Sequence, residues 1–178
     1  MAPAAGMLTP HRAALMITVV QRVQHASVRV EDREVGAIGA GLMLLVGVER
    51  GDNEADADAT AQKLAKLRCF PGRTPMDATC AESGGSLLVI SQFTLAAELA
   101  DGNRPSFTAA EDPTRAEALY LQVANGLQKL GLSVATGVFG AKMAVTLCND
   151  GPVTFVLTVR GGRVQSRRTS LGATPPQG

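Results

Sequence analysis

Two apolar runs, LMLLVGV at Leu42–Val48 and SLLVISQ at Ser86–Gln92, constrain the fold more than anything else in the chain. A strand with one face in water alternates polar and apolar residues. These runs do not alternate, so each predicts a strand covered on both faces. Helices must supply the cover, and two are legible. GDNEADADATAQKLAKLRCF crowds acids into its first turns and bases (Lys63, Lys66, Arg68) into its last, with an apolar stripe at Ala61, Leu64, Ala65 and Leu67, as the helix dipole favours. Pro71–Gly72 ends it. Asp112–Pro113 offers a cap and a first-position proline for a second helix running to about Leu130, before Gly131. Other strand-like segments are Ile17–Val23, Ala26–Val30, Ser133–Thr136, Ala144–Cys148 and Val153–Val159, while Gly36, Gly39 and Gly41 punctuate a turn. The order strands, helix, strand, helix, strands predicts an α/β protein with a mixed β-sheet core and two main helices, without a purely doubly wound pattern.

The chain has 178 residues, 46% hydrophobic and 19% charged, enough for one domain with a sizeable core. With no Trp, one Tyr and five Phe, that core is aliphatic. The expected domain spans 16–159. Residues 1–15 are Ala/Pro-rich and aperiodic, and read as a flexible extension; 160–178 read as a disordered basic tail carrying Arg160, Arg163, Arg167 and Arg168. No apolar run is long enough to span a membrane, and the opening is not read as a secretory signal, so a soluble cytoplasmic protein is the expectation. Residues 16–159 hold 12 basic and 16 acidic residues, a net of −4. Such a body lacks the broad basic surface that many phosphate contacts require, so any RNA contact is local or aided by the tail.

Several chemistries fail on spacing. The glycines spell GxxGxG and lead into a strand, whereas a phosphate cradle needs amides at a helix start. Asp52, Glu54, Asp56 and Asp58 alternate as in a calcium loop, but Ala57 stands where its glycine belongs and Lys63 where its bidentate Glu belongs. Cys69, Cys80 and Cys148 form no CxxC and pair with neither His11 nor His25 at zinc-ligand spacing, so they read as reduced structural thiols. His25 is the body's one histidine, which leaves no convincing Ser-His-Asp set and gives a Cys80 nucleophile no base.

Two segments stand out. In SQFTLA, Ser91, Gln92 and Thr94 put hydroxyls and an amide at the carboxyl end of a buried strand, where α/β folds place sites. Capping of local backbone explains the same residues. NDGPVTF, Asn149–Phe155, is turn chemistry and fits hairpin closure. It also permits a cis Gly151–Pro152 bond that presents neighbouring carbonyls as fixed acceptors for an ammonium group.

Together with MITVVQRVQHASVRV, GAIGAGLMLLVGVERGD, GNRPSF at 102–107, DPTRAEALY at 112–120 and TGVFGAKMAVTLCNDGPVTF at 136–155, these segments resemble the D-aminoacyl-tRNA deacylase family in order over about 16–159. The loop CFPGRTPMDATCAES departs from the family pattern, and both termini lie outside it. The resemblance implies a homodimer that hydrolyses the ester between a D-amino acid and the 3′ end of tRNA, with no metal or organic cofactor and no membrane partner. Gly151–Pro152 is then cis and enters the partner subunit's pocket, where its carbonyl-lined wall holds the α-ammonium and excludes an L side chain. Rejection by clash leaves glycyl-tRNA as a second substrate. Ser91, Gln92, Phe93 and Thr94 then line the pocket, Arg22 buttresses the Gly-Pro loop, Arg104, Pro105 and Phe139 shape the rim, and Met143 packs nearby.

Two catalytic routes stay open. Thr94 is the natural nucleophile but has no base beside it. Alternatively the ribose 2′-hydroxyl of the tRNA assists, with amides near Phe93 and the Gln92 side chain holding the oxyanion. The poor acid/base inventory favours the second. A different class of reading is a noncatalytic dimeric RNA-binding module on the same fold.

Overall fold

The computed structural model describes residues 15–100 and 102–166. The expected extension lies outside the described residues except for Leu15, and so do residues 167–178 of the expected tail.

A seven-stranded mixed sheet forms the frame. β1 (Met16–Val30) turns into β2 (Arg33–Ile38) and then β3 (Gly41–Gly47). After α1 (Glu54–Ala65) come β4 (Ser86–Ser91), a 3-10 turn (Phe93–Ala96), α2 (Pro113–Lys129), β5 (Ser133–Thr136), β6 (Met143–Arg160) and β7 (Arg163–Val164). The path is β5-β4-β3-β1-β6-β7, with β2 also on β1. The two apolar runs, β3 and β4, lie side by side and parallel in the interior, with Leu42 opposite Leu87 and Val46 opposite Ser91.

Both helix starts follow from their caps. Asn53 accepts from Ala55 N–H while Asp56 accepts from Asn53 N–H, a capping box that uses the acidic run as a helix start. Asp112 accepts from Thr114 N–H ahead of Pro113. The helices cover one sheet face, where Val20, Leu44, Leu64, Leu119 and Leu127 are fully buried. On the other face the distal half of β1, β2 and the first half of β6 enclose Val23, Val28, Met43, Leu88 and Ile90. Val19, Leu45 and Val156 sit in one cross-strand row on that second face, and Val156 is 40% exposed.

Four expectations change. Ile17–Val23 and Ala26–Val30 are one strand, because the exposed Gln24–His25 is a register shift against β6 and not a break. The glycine-punctuated turn contains β2: a Cβ on Gly36 would lie 2.6 Å from the Thr136 carbonyl oxygen, so this glycine permits close approach. Asn149–Phe155 does not close a hairpin. β6 leaves β1 at Asn149–Val23 and rejoins it at Thr154–Gln21, so Asp150–Val153 bulge opposite Arg22 alone. Finally, order continues past 160, where Gly161 and Gly162 (φ 55° and 69°) turn the chain into β7, pairing Arg163 with Arg160.

Candidate active site

A cavity of about 610 Å³ opens at the carboxyl end of β4. Ser91, Gln92 and Phe93 form one wall, Phe107 and Ala110–Pro113 another, and Ile90, Phe139, Met143 and Val145 lie against it. The 3-10 turn is held to β3 by Gln92 N–H on the Val46 carbonyl at 2.7 Å and closed by Leu95 N–H on the Gln92 carbonyl at 3.2 Å. Gly47 makes this crossing possible, since a Cβ there would stand 2.7 Å from the Leu95 Cβ. Gly137 does the same for the floor: its Cβ would stand 2.5 Å from the Met143 sulfur and 3.1 Å from Ile90 Cδ1. The one tyrosine, Tyr120, braces this region from within, donating to the Val89 carbonyl at 2.8 Å beside the Phe139 ring. Burial pushes its phenol up to about 12.

Ser91, Gln92, Phe93, Phe139 and Met143 are brought together here as lining residues. Thr94 is exposed beside them and accepts a hydrogen bond from the Gln92 amide. No ionisable side chain bonds its hydroxyl among the contacts of the described residues. Arg104 and Pro105 do not line the cavity. They stand exposed in a loop clamped by Glu98–Ser106 pairing, which delivers Phe107 to the wall. Phe107 meets Phe93 edge-on at 5.1 Å, the two being 40% and 60% exposed.

Arg22, Gly151 and Pro152 lie elsewhere. Arg22 is buried, pairs with Asp150 at 2.7 Å, donates to the Cys69 carbonyl at 2.6 Å and sits 5.9 Å above the Phe70 ring. It thus grips the residue before the exposed Gly151–Pro152 pair, whose peptide bond is cis. Asn149 braces the same bulge, accepting from Gln21 and Thr154. Arg22 is level with Leu42 and Ser91 with Val46, so Ser91 lies four residues along and, counted from the bulge on β6, three strands across. At about 3.3 Å per residue and 4.8 Å per strand, the Gly151 bulge stands roughly 20 Å from the cavity of its own chain.

Sequence reasoning missed Arg50, Phe107 and Glu111. Residues 48–51 pair with 109–111 through Arg50 N–H on Ala109, Glu111 N–H on Val48 and the Arg50 Nε on Ala110 at 3.1 Å. Phe107 was within reach as the aromatic of GNRPSF. Arg50 and Glu111 carry no spacing signal, because this loop-to-loop pairing is tertiary. Beneath it Asp52 is buried, with Oδ2 accepting from Glu49 N–H at 2.8 Å and Oδ1 unpartnered. Burial, reinforced by Asp56, Glu49 and Glu111 and opposed by the Glu49 N–H bond, raises its carboxyl to about 7. Cys80 is buried away from the cavity, and burial lifts its thiol to about 11, unsuited to a nucleophile. Among the described residues no group of three or more His, Cys, Asp or Glu is arranged to hold a metal ion.

Sheet, strand-end turn and cavity define a site-bearing α/β protein with its pocket at the carboxyl ends of parallel strands. A family model described as D-Tyr-tRNA(Tyr) deacylase matches residues 19–158. The chain belongs to that family, a family of hydrolases. A D-aminoacyl-tRNA deacylase of Paracoccus denitrificans is 51% identical over 141 residues, covering 79% of this chain and 95% of the relative. One from Methylococcus capsulatus is 50% identical over 143 residues, covering 80% and 94%. Among solved structures, the c-Myc DNA Unwinding Element Binding Protein superposes with TM-score 0.74 at 35% identity, covering 80% of this chain and 97% of that one. A probable eukaryotic D-amino acid tRNA deacylase superposes with TM-score 0.71 at 14% identity, covering 82% and 100%, and so shares the fold.

Proposed function

We propose that the protein hydrolyses the ester linking a D-amino acid to the 3′ end of tRNA, and glycyl-tRNA by the same route, acting as a homodimer in which Gly151–Pro152 of one copy closes the cavity of the other. The observation that carries this reading is the separation of about 20 Å between that pair and its own cavity. A motif so placed serves a second copy, and the row of half-buried Val19 and Leu45 with exposed Val156 gives the sheet an apolar face to offer one. The exposed carbonyls of the bulge would receive the α-ammonium, and its backbone would stand where an L side chain must go.

Within the cavity, Phe93 and Phe107 offer ring faces to the terminal base. Ser91 and Gln92 face the ester. The first amides of the short turn have no partner inside it, so those near Phe93, with the Gln92 side chain, suit the oxyanion. Thr94 has its hydroxyl engaged by Gln92 and no base to activate it, which favours assistance by the ribose 2′-hydroxyl. In this route the hydroxyl takes part from the substrate, water supplies the oxygen, and the protein positions and stabilises charge.

Purified protein is expected to release D-tyrosine from D-tyrosyl-tRNA, with and without a chelator. Binding of tRNA with no release would favour a second reading, a nucleic-acid-binding module, which the resemblance to a protein described as binding DNA supports.

A further inference from the structure

With a net of −4 over residues 16–159, the body holds a long RNA strand only through a local exception. One lies on the sheet edge that carries the cavity. β3 and β6 run in the same direction, each antiparallel to β1, so their carboxyl ends share that edge: Gly47 opposes Ile17 and Val159 opposes Met16. Just past β3 stands Arg50, exposed, and the one basic residue among those lining the cavity. Its Nε bond to the Ala110 carbonyl fixes one edge of the guanidinium on the wall. Across β1 on the same edge, the β6–β7 hairpin carries Arg160 and Arg163, both exposed and directly opposite each other.

That hairpin is docked. Gly162 N–H donates at 2.8 Å to one oxygen of the buried Asp56, whose other oxygen completes the α1 capping box. The neighbouring acids Glu49, Asp52 and Asp56 are buried, while Glu54 is engaged by Arg115 at 3.6 Å. Asp112 is the exposed acid on the cavity side. From β3 to β7 is three strand spacings, so the three arginines spread over roughly 14 Å from the cavity wall outward.

We propose that this edge carries the phosphodiester backbone of the substrate RNA as it leaves the cavity, Arg50 meeting the phosphate nearest the bound terminal residue and Arg160 and Arg163 the ones that follow. The inference rests on the deacylase reading, in which the substrate's reactive end is a nucleoside joined to a charged strand.

The test compares two esters, D-tyrosyl-tRNA and D-tyrosyl-adenosine, which has no phosphate. The double variant Arg160→Ala/Arg163→Ala is expected to raise KM for the tRNA several-fold more than for the adenosine ester. It should also flatten the dependence of log(kcat/KM) on log salt by about one to two units. Arg160→Lys/Arg163→Lys should keep most of the slope, since a lysine still meets a phosphate as a point charge. Equal losses on both esters, an unchanged salt slope, or equal competition by poly-glutamate would overturn the proposal. A wild type that turns over neither ester would overturn the deacylase reading instead, and the salt slope of uncharged tRNA binding to the same variants would still decide the edge.

Discussion

Arg22 and Asp150 meet at 2.7 Å across the β1–β6 bulge, joining a buried guanidinium to the residue that precedes Gly151–Pro152. The same guanidinium donates to the Cys69 carbonyl, so its removal orphans groups on both sides. Arg22→Ala is expected to cost about 2 kcal/mol in chemical denaturation, the scale of a lost charge-assisted bond. Asp150→Asn should cost less, because Asp150 is partly exposed. Arg22 does not line the cavity, so both variants should lower discrimination between D and L esters more than they lower turnover of the D ester. Unchanged discrimination in a folded Arg22 variant would remove its buttressing role.

Gln92 and Thr94 separate two mechanisms. Thr94→Ala frees the Gln92 amide and is expected to keep kcat within about tenfold, while Gln92→Ala should lose about 100–1000-fold as an oxyanion donor does. Single-turnover rates on D-tyrosyl-tRNA check both. A Thr94→Ala loss as large as that of Gln92→Ala, with the fold intact, would restore Thr94 as the nucleophile.

Two glycines should respond in opposite ways. A Cβ on Gly151 meets only the Asn149 Nδ2 at 3.5 Å, so Gly151→Ala should melt close to wild type while losing activity if the bulge serves a partner's cavity. A Cβ on Gly47 collides with Leu95 at 2.7 Å and comes within 3.0 Å of the Gln92 carbonyl, so Gly47→Ala should cost about 1–3 kcal/mol and move the 3-10 turn at Phe93–Ala96. Thermal melts beside kcat/KM for both variants measure this.

How much was legible follows the range of the forces. The apolar runs, caps and helix stripes are local, and β3, β4 and α2 came out close to their expected bounds, while α1 ends at Ala65, five residues short of the expected Phe70. Gly36 and Gly41 look like turn residues in one dimension, and Gly47 like one more small residue of an apolar run. In three dimensions they are places where another backbone or side chain comes too near for a Cβ. The Asn-Asp-Gly-Pro segment carries turn chemistry, yet pairing with β1 on either side keeps it inside one strand. SQFT was readable as a candidate site because its polar groups end a buried strand, and Ser91, Gln92 and Phe93 do line the cavity. Arg50 and Glu111 were not readable, since they reach the cavity only through contacts between distant loops.

Asp52 predicts a pH dependence. Its folded pKa of about 7 exceeds the ordinary carboxyl value of 3.8, so the folded state binds the extra proton between those limits. Its contribution to stability is therefore full below about 4 and is lost as pH rises through about 7. Denaturation midpoints of the wild type from pH 5 to 8.5 should carry this falling component. Asp52→Asn, which cannot ionise, should remove it and be the more stable protein at the alkaline end. Parallel pH profiles for the two proteins would contradict this assignment.

Chiral selection among aminoacyl-tRNA esters is what a Gly151–Pro152 wall in the partner's cavity would provide. Its most direct test is deacylation of matched D- and L-tyrosyl-tRNA by the purified wild type under single-turnover conditions. Release of the D ester is expected at least about a hundredfold faster than that of the L ester, because exclusion acts on the L side chain alone. Equal release of both would contradict it, and would mean that Gly151–Pro152 does not wall the site.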